Sequence, residues 1–528
     1  MVCRGVLDGK RAKLRSRRPR AWGSGVPERT GPCTGGRKVP RLLEGVGTHP
    51  PVRVMFRWFR LARSGTETAG RKARNRGGAR FTRRGGSRWQ VDSPSRRLAC
   101  VVLCPGAMSA VAGAWQPLLE GEDRVRARAI AAEVVREVIA APSDDPWSEA
   151  LLLVYAQHGA LIDGAAEVAG ERLDGALAAL GERPLGAALW GGLAGAGWHV
   201  AHLAGGDEAE EVLGTIDEAL LAGLAEDGGW SGDYDLIGGL VGIGLYAVEA
   251  ATASEAAAAR RIAARVLDHL EAWATEDGPG LAWYTPARLL PEWQREICPD
   301  GYQNLGLAHG IPGVVALAAE LIAADVEAAR ARRLLDGAAA WLRWVAPPRE
   351  PARFPSWRGR GAGDAPARLA WCYGDPGVVV SLCAAAQVTG DAALLDEVRA
   401  MTRAMAARPV EDCGVRDAGF CHGAAGVAHI FNRLWQATGE PAARDAARAW
   451  LDRAIAMRRP GEAIAGFPSL RLHDGKESWE ADGSLMGAPG VALVLLAASG
   501  EVEPGWDRLF GVNVTPMAPA EPTAGGRA

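Results

Sequence analysis

The stretch that decides the fold is Trp371-Cys372-Tyr373-Gly374-Asp375-Pro376-Gly377, and Phe420-Cys421-His422-Gly423-Ala424-Ala425-Gly426 follows it 49 residues later. In both stretches a cysteine stands two residues before the first glycine of a Gly-x-x-Gly motif, and an apolar run follows. Thiolate and neutral imidazole are ligands that zinc favours. Cys372, Cys421 and His422 would supply three ligands and leave a fourth position open, as a catalytic zinc requires. The spacing is too long for a zinc finger, so this interpretation depends on the repeat that contains both stretches.

An internal repeat runs through the chain and decides its fold class. Gly-x-x-Gly followed by an apolar helical run occurs six times, with successive first glycines 47, 71, 64, 49 and 64 residues apart. The copies begin at Gly192, Gly239, Gly310, Gly374, Gly423 and Gly487. Each interval has room for one outer helix besides the glycine-started inner helix. This pattern predicts a closed α/α toroid more than an open solenoid, and a further unit around Trp147 to Ala160 would make about seven pairs.

Helical periodicity extends over most of the chain from about Asp123 onward. Ranges 124–139 and 257–273 place apolar residues at i, i+3, i+4 and i+7 between charged ones. Valine and isoleucine do not alternate with polar residues, so we expect an all-α protein without a β-sheet. No window approaches the roughly 20 apolar residues of a membrane span. Five cysteines in this region lack the spacing of a disulfide framework, which favours a reducing, cytoplasmic compartment.

Residues 1–107 differ from the rest of the chain. They hold 26 Lys plus Arg against 5 Asp plus Glu, a net charge of +21. Because the whole chain has a net charge of −2, the remaining residues carry −23. We expect a disordered basic extension, because such a segment buries too little apolar surface to offset the entropy of ordering it. It could be a nucleic-acid or membrane-surface arm, a transit peptide, or upstream sequence read in frame before a natural start at Met108; we favour the last. The predicted domains are therefore the extension 1–107, the toroid 108–513 and a disordered tail 514–528.

Aligning the repeats places both cysteines in one repeat position and both His309 and His422 in the next. In a closed ring, equivalent positions face a common centre, so residues 49 apart in sequence would become neighbours. Two cysteines in one position, one of them flanked by histidine, favour metal ligands over small buried hydrophobes. His309 is preceded by Ala308 instead of cysteine, and it remains either a polar site residue or a structural histidine.

Two further polar residues precede inner helices. Asp235 stands four residues before Gly239, and Arg368 stands four residues before Cys372. Asp235 is either a site residue or a helix cap. Arg368 is either a site residue or a solvated surface charge.

At these residues the chain closely resembles the lanthionine synthetase C-like family, the cyclases of lanthipeptide biosynthesis. The resemblance covers roughly residues 114–500, and the Cys-Tyr-Gly and Cys-His-Gly pair is its most specific part. The matching motifs are Asp-Leu-Ile-Gly-Gly-Leu-Val-Gly (235–242), Asn-Leu-Gly-Leu-Ala-His-Gly-Ile-Pro-Gly (304–313), Trp-Cys-Tyr-Gly-Asp-Pro-Gly (371–377) and Cys-His-Gly-Ala-Ala-Gly (421–426).

The resemblance implies an α/α toroid of seven helix pairs around one zinc per chain. It also implies that a peptide cysteine thiolate adds to dehydroalanine or dehydrobutyrine and closes a lanthionine or methyllanthionine thioether ring. Carried over onto this sequence, the zinc ligands are Cys372, Cys421 and His422, the acid/base histidine is His309, the active-site aspartate is Asp235 and the active-site arginine is Arg368. If His309 is structural, the enolate's proton would have to come from a zinc-bound water or from Tyr373.

The implied substrate is a dehydrated precursor peptide. Because no dehydratase-like domain precedes the toroid, the resemblance implies a stand-alone cyclase with a separate dehydratase, and we expect neither a nucleic-acid partner nor a transmembrane segment. Three alternatives stay open. They are a prenyltransferase-like zinc toroid, a member of the same family that adds glutathione or acts on damaged proteins, and a non-catalytic helical-repeat scaffold with a structural zinc.

Overall fold

The computed structural model describes residues 81–83, 89–91, 115–180, 184–225, 230–254, 256–346, 354–473 and 476–517, and these residues are mostly helical. The described part contains fifteen α-helices. In chain order they are α1 (Gly121–Ala140), α2 (Pro146–His158), α3 (Ala165–Leu180), α4 (Leu193–Leu203), α5 (Asp207–Gly223), α6 (Leu240–Ser254), α7 (Ala257–Trp273), α8 (Glu292–Ile297), α9 (Ile311–Ala323), α10 (Ala328–Val345), α11 (Asp375–Thr389), α12 (Ala392–Ala406), α13 (Ala424–Thr438), α14 (Pro441–Ala456) and α15 (Ala488–Ser499).

Short strands also occur, so the expectation of a chain without any β-sheet is wrong. Each strand has two to five residues, too few to show a period in sequence, and all the pairings are antiparallel. The sheets are β1 (Phe81–Arg83) with β2 (Trp89–Val91), β3 (Thr275–Asp277) with β4 (Gly280–Ala282), β5 (Thr285–Pro286) with β6 (Gly301–Asn304) and β7 (Trp357–Arg358), and β8 (Ser469–His473) with β9 (Lys476–Glu480). The first pair lies within the extension that we expected to be disordered.

The apolar, glycine-started helices pack against charged, amphipathic partners. In α7 the buried residues recur at helical spacing, from Ala259 through Ile262 and Val266 to Leu270, and the opposite face is polar. By contrast, α4 and α15 are buried along their whole length. The pairs are α2 with α3, α4 with α5, α6 with α7, α9 with α10, α11 with α12, α13 with α14, and α15 with α1. The last pair joins the first and last helices of the described chain.

The apolar helices also contact one another in a cyclic order. The contacts run from α2 to α4, α6, α9, α11, α13 and α15, and α15 contacts α2 again. Helix α2 occupies the region where the glycine signature is missing. It begins with Pro146, and the Asp145 side chain caps it by accepting a hydrogen bond from the Ser148 amide at 3.2 Å.

The segments that precede the inner helices are joined to each other by backbone hydrogen bonds. These bonds run from the amides of Trp190, Leu236, Trp371 and Phe420 to the carbonyls of Ile237, Ala308, Cys421 and Met486, over 2.9–3.1 Å. The second glycine of the motif permits the close packing of these turns. A Cβ atom at Gly426 would lie 1.8 Å from the carbonyl oxygen of Phe420. The loops that carry the motif residues therefore meet at one end of the helices.

Residues after α15 continue the folded body. A 3-10 helix spans Gly505–Phe510. Val514 is buried, and the Met517 amide donates to the Gln436 carbonyl oxygen at 2.8 Å. Residues 514–517 thus pack on the body, whereas we had placed them in a disordered tail. Residues 518–528 and most of the predicted extension lie outside the described residues. Within the described ranges, no helix combines the length and apolar character that a bilayer crossing needs.

Candidate metal centre and active site

Cys372, Cys421 and His422 lie together just before the N-terminal ends of α11 and α13. We call these three candidate metal ligands the ligand cluster. One ligand atom from each residue lies within 4.8 Å of the others. The amides of Trp371 and Cys372 both donate to the Cys421 carbonyl oxygen, at 3.1 and 3.3 Å. These backbone bonds hold the two ligand segments side by side, as the shared repeat position predicts.

The turn after Cys372 depends on a glycine and on a buried acid. Gly374 has a φ of +92°, a backbone conformation that side-chain-bearing residues rarely adopt, and it leads directly into α11. Asp375, the first residue of α11, is fully buried. It accepts a hydrogen bond from the Phe354 amide at 2.8 Å and pairs with the buried guanidinium of Arg408. This ion pair anchors the start of the helix, so Asp375 is a structural acid next to the ligand cluster.

The ligand cluster favours thiolate. A hydrogen bond from the Cys421 thiol outweighs burial and, together with His422, holds the pKa of Cys372 well below its usual value. The same hydrogen bond, together with burial, raises the pKa of Cys421. The positive charge of half-buried Arg368 adds to the lowering of the pKa of Cys372 and opposes, without overcoming, the raising of the pKa of Cys421. Two thiols and one imidazole form the donor set of a zinc site with one open position, so the residues fit this metal.

His309 is paired with Asp235. Its Nδ1 atom lies 2.7 Å from Oδ2 of Asp235, and Oδ1 of Asp235 accepts the Gly238 amide at 2.8 Å. Asp235 is thus a cap of the turn before α6, one of the two alternatives that the sequence left open, and it is also a partner of the imidazole. Burial disfavours the charged imidazole, but the hydrogen bond and charge of Asp235 prevail and raise the pKa of His309.

Tyr373 connects His309 to the ligand segment. Its ring stacks on the His309 ring with 5.7 Å between centroids. Its hydroxyl accepts a hydrogen bond from Nδ2 of Asn304 at 3.3 Å, and burial raises its pKa well above the usual value. The imidazole is therefore held against the residue that follows Cys372.

Comparison with known proteins identifies the family of this chain. The sequence model of the lanthionine synthetase C-like protein family matches residues 150–510. The chain belongs to this family. Among solved structures, nisin cyclase superposes with a TM-score of 0.56 at 17% identity, over 72% of this chain and 96% of nisin cyclase. The alpha-1,6-mannanase GH76A of Salegentibacter sp. HEL1_6 superposes with a TM-score of 0.40 at 10% identity, over 70% of this chain and 98% of the mannanase. The resemblance drawn from the motifs is confirmed.

One wall of the site in this lanthionine synthetase C-like protein was missed by sequence reasoning. A cavity beside Cys421 and His422 is also lined by Ser469, Arg471 and Met486. Ser469 and Arg471 belong to the β8–β9 hairpin, which lies between two repeats and carries no glycine motif. Met486 occupies the same repeat position as His422, so the alignment of repeats could have placed it near the cluster.

Proposed function

We propose that this chain is a zinc-dependent lanthipeptide cyclase. It adds a cysteine thiolate of a dehydrated precursor peptide to a dehydroalanine or dehydrobutyrine of the same peptide and forms a lanthionine or methyllanthionine ring. The observation that supports this function best is the cluster of Cys372, Cys421 and His422 within 4.8 Å, beside a histidine whose pKa is raised by a carboxylate.

Cys372, Cys421 and His422 would hold one zinc ion per chain. When bound, zinc stabilises the thiolate form of a cysteine ligand, which makes a peptide thiol nucleophilic at neutral pH. Arg368 balances the negative charge of the two cysteine ligands.

His309 supplies the proton that completes the reaction. Addition of the thiolate forms the S–Cβ bond, and the electron pair of the Cα–Cβ double bond moves towards the neighbouring carbonyl to give an enolate. Because Nδ1 of His309 is held by Asp235, Nε2 is the nitrogen that is left to donate a proton to Cα. Tyr373 packs against the imidazole, and its raised pKa makes it the weaker acid of the two.

The cyclic order of helix contacts supports a closed α/α toroid of seven helix pairs. In such a ring, the turns before the inner helices face one centre, which gathers residues from four repeats around one peptide. A ring-shaped site that holds the nucleophile and the acceptor together favours cyclisation over attack by other thiols. A separate dehydratase would supply the substrate, and the site of action would be the cytoplasm.

The test is to incubate the protein with a dehydrated precursor peptide and to count the free thiols by alkylation and mass spectrometry. Cyclisation leaves the peptide mass unchanged but removes one alkylatable thiol per ring, and Cys421→Ala should abolish this loss. A product heavier by one glutathione, formed when glutathione is present, would favour the thiol-addition alternative. Undiminished thiols with zinc bound would favour the scaffold alternative.

A further inference from the structure

Arg471 is a buried cation in the wall of the cavity beside the ligand cluster. It lies on β8, is 8% exposed, and lines the same cavity as Cys421 and His422. A buried guanidinium is costly unless acceptors satisfy it, so its environment indicates what it binds.

Asp482 satisfies only part of the guanidinium of Arg471. Nη2 of Arg471 donates to Oδ2 of Asp482, while Oδ1 of Asp482 accepts the amide and the hydroxyl of Ser484 at 3.0 and 2.7 Å. Arginine has five N–H donors. No second acceptor for Arg471 occurs among the described residues. The cavity that Arg471 lines with Cys421 and His422 has a volume of about 10 Å³, room for one group the size of a water molecule or a carbonyl oxygen. A single oxygen of that size could accept hydrogen bonds from the remaining N–H groups.

The position of Arg471 relative to the ligands is determined by Asp417. Oδ2 of Asp417 accepts the amide of Leu470, the residue before Arg471, at 3.1 Å. Oδ1 of Asp417 accepts the Gly419 amide at 3.2 Å, two residues before Cys421. One carboxylate thus joins the hairpin to the ligand segment and holds the cation beside the cluster.

The pair formed by Arg471 and Asp482 has the same construction as the pair formed by His309 and Asp235. In each pair, one carboxylate oxygen binds the basic side chain and the other accepts a backbone amide in the turn before an inner helix. The inner helices contact one another in the order α9, α11, α13, α15. The ligand cluster precedes α11 and α13, in the middle of this order. His309 precedes α9 at one end of the order, and Asp482 precedes α15 at the other. The ligand cluster is therefore flanked by two oriented basic groups, and the proposed function uses only one of them.

We propose that Arg471 is a second catalytic residue, which donates hydrogen bonds to the carbonyl oxygen of the dehydroamino acid; this inference rests on the proposed cyclase function. As the S–Cβ bond forms, the Cα–Cβ π electrons become an enolate and negative charge develops on that oxygen. Arg471 stabilises this charge without transferring its own proton. His309 then protonates Cα, and the electron pair returns to restore the carbonyl. Preorganised donors aimed at developing charge are the largest single contribution in many enzymes.

The first test compares Arg471→Gln/Asp482→Asn with the wild-type protein. The double substitution keeps a neutral hydrogen-bonding pair and leaves no unpaired buried charge. With a dehydrated precursor peptide, we expect kcat to fall roughly 10²–10³-fold, as on loss of an oxyanion donor, while zinc stoichiometry is unchanged. Arg416→Gln is the matched control. Arg416 binds Glu477 on the same hairpin from a more exposed position, and we expect it to leave kcat unchanged.

The second test observes the carbonyl itself. A dehydrated peptide whose cysteines are replaced by alanine and whose dehydroalanine carbonyl is labelled with carbon-13 cannot cyclise, and it is used at a concentration at which both proteins bind it. Its labelled infrared stretch should move to lower frequency on the wild-type protein, with or without zinc, and not on the double variant. Equal shifts on both proteins, a wild-type kcat in the double variant, or loss of zinc from it would overturn the assignment. If the wild-type protein consumes no thiols at all, the proposed function fails instead.

Discussion

Nδ1 of His309 lies 2.7 Å from Oδ2 of Asp235, although 74 residues separate them in the chain. The backbone explains this proximity, because the Leu236 amide donates to the Ala308 carbonyl oxygen at 3.1 Å. One bond between two consecutive turns thus places an acid next to a histidine. The same kind of bond, between Trp371 and Cys421, assembles the ligand cluster.

His309 and His422 occupy the same repeat position, but we expect their replacement to affect zinc binding differently. We expect His309→Asn to keep one zinc per chain and to slow cyclisation by roughly 10²–10⁴-fold, the usual contribution of a general acid. His422→Asn should lose or loosen the metal, because it removes a ligand. Metal analysis and thiol counting on both variants check this. Loss of zinc from His309→Asn would make that histidine a ligand and would disprove the three-ligand site.

The pH dependence of cyclisation should report the pKa of His309. Asp235 raises this pKa against the effect of burial, so the charged acid persists to higher pH than for an ordinary histidine, and the rate should fall as pH rises through the raised pKa. Asp235→Asn removes the raising charge and leaves burial, which lowers the pKa, so the alkaline limb should move to lower pH. Asparagine keeps an oxygen for the Gly238 amide, so the turn should survive. If the alkaline limb of the pH–rate profile did not move, that limb would report the titration of a group other than His309.

Two glycine substitutions should change stability in opposite directions. In Gly426→Ala the new Cβ would lie 1.8 Å from the Phe420 carbonyl oxygen, so we expect a loss of about 1–3 kcal/mol and weaker zinc binding, since Cys421 follows Phe420. Gly214 lies in α5, and a Cβ atom added there would have no heavy atom of another part of the protein within 4 Å. Gly214→Ala should therefore stabilise by about 0.5–1 kcal/mol. Thermal unfolding and zinc titration measure both, and equal effects would contradict the close-packing argument.

The ion pair between Arg508 and Glu249 should be important for stability. Nε of Arg508 lies 2.9 Å from Oε2 of Glu249, which is buried. Burial raises the pKa of Glu249, but Arg508 and His202 prevail and lower it to about 2. This stabilisation is present above pH 4.5, the ordinary pKa, and is lost as pH falls towards 2.

Replacement of Arg508 tests this pair. Arg508→Met removes the arginine partner of the buried Glu249 carboxylate and leaves only the hydrogen bond with His202 among the pairings described, so we expect a loss of about 3–5 kcal/mol at neutral pH. The control is Arg360→Met, because Arg360 and Asp300 form an exposed pair that should matter little. Denaturant unfolding of both variants at pH 7 and pH 3 checks the prediction, and equal midpoints for the two variants would contradict it.

The sequence by itself determined the repeat and what the repeat implies. A glycine motif that recurs with a fixed apolar pattern specifies inner helices. Equivalent positions in the motif specify which residues lie at the same end of these helices. That is why Cys372, Cys421 and His422 could be grouped before any coordinates. The amphipathic outer helices were predictable for the same reason, because burial of one face imposes a 3.6-residue period.

Only the tertiary structure decided the features that have no period. The pairing of α15 with α1 joins the two ends of the described chain, and no local pattern encodes it. The strands are two to five residues long, so partners elsewhere in the chain determine their conformation. Arg471 lines the cavity beside Cys421 and His422 because the Asp417 side chain binds the hairpin. The dual role of Asp235 depends on the hydrogen bond between its second oxygen and His309. Hydrogen bonds between side chains distant in sequence leave no signal in one sequence, because their geometry exists only once the helices have packed.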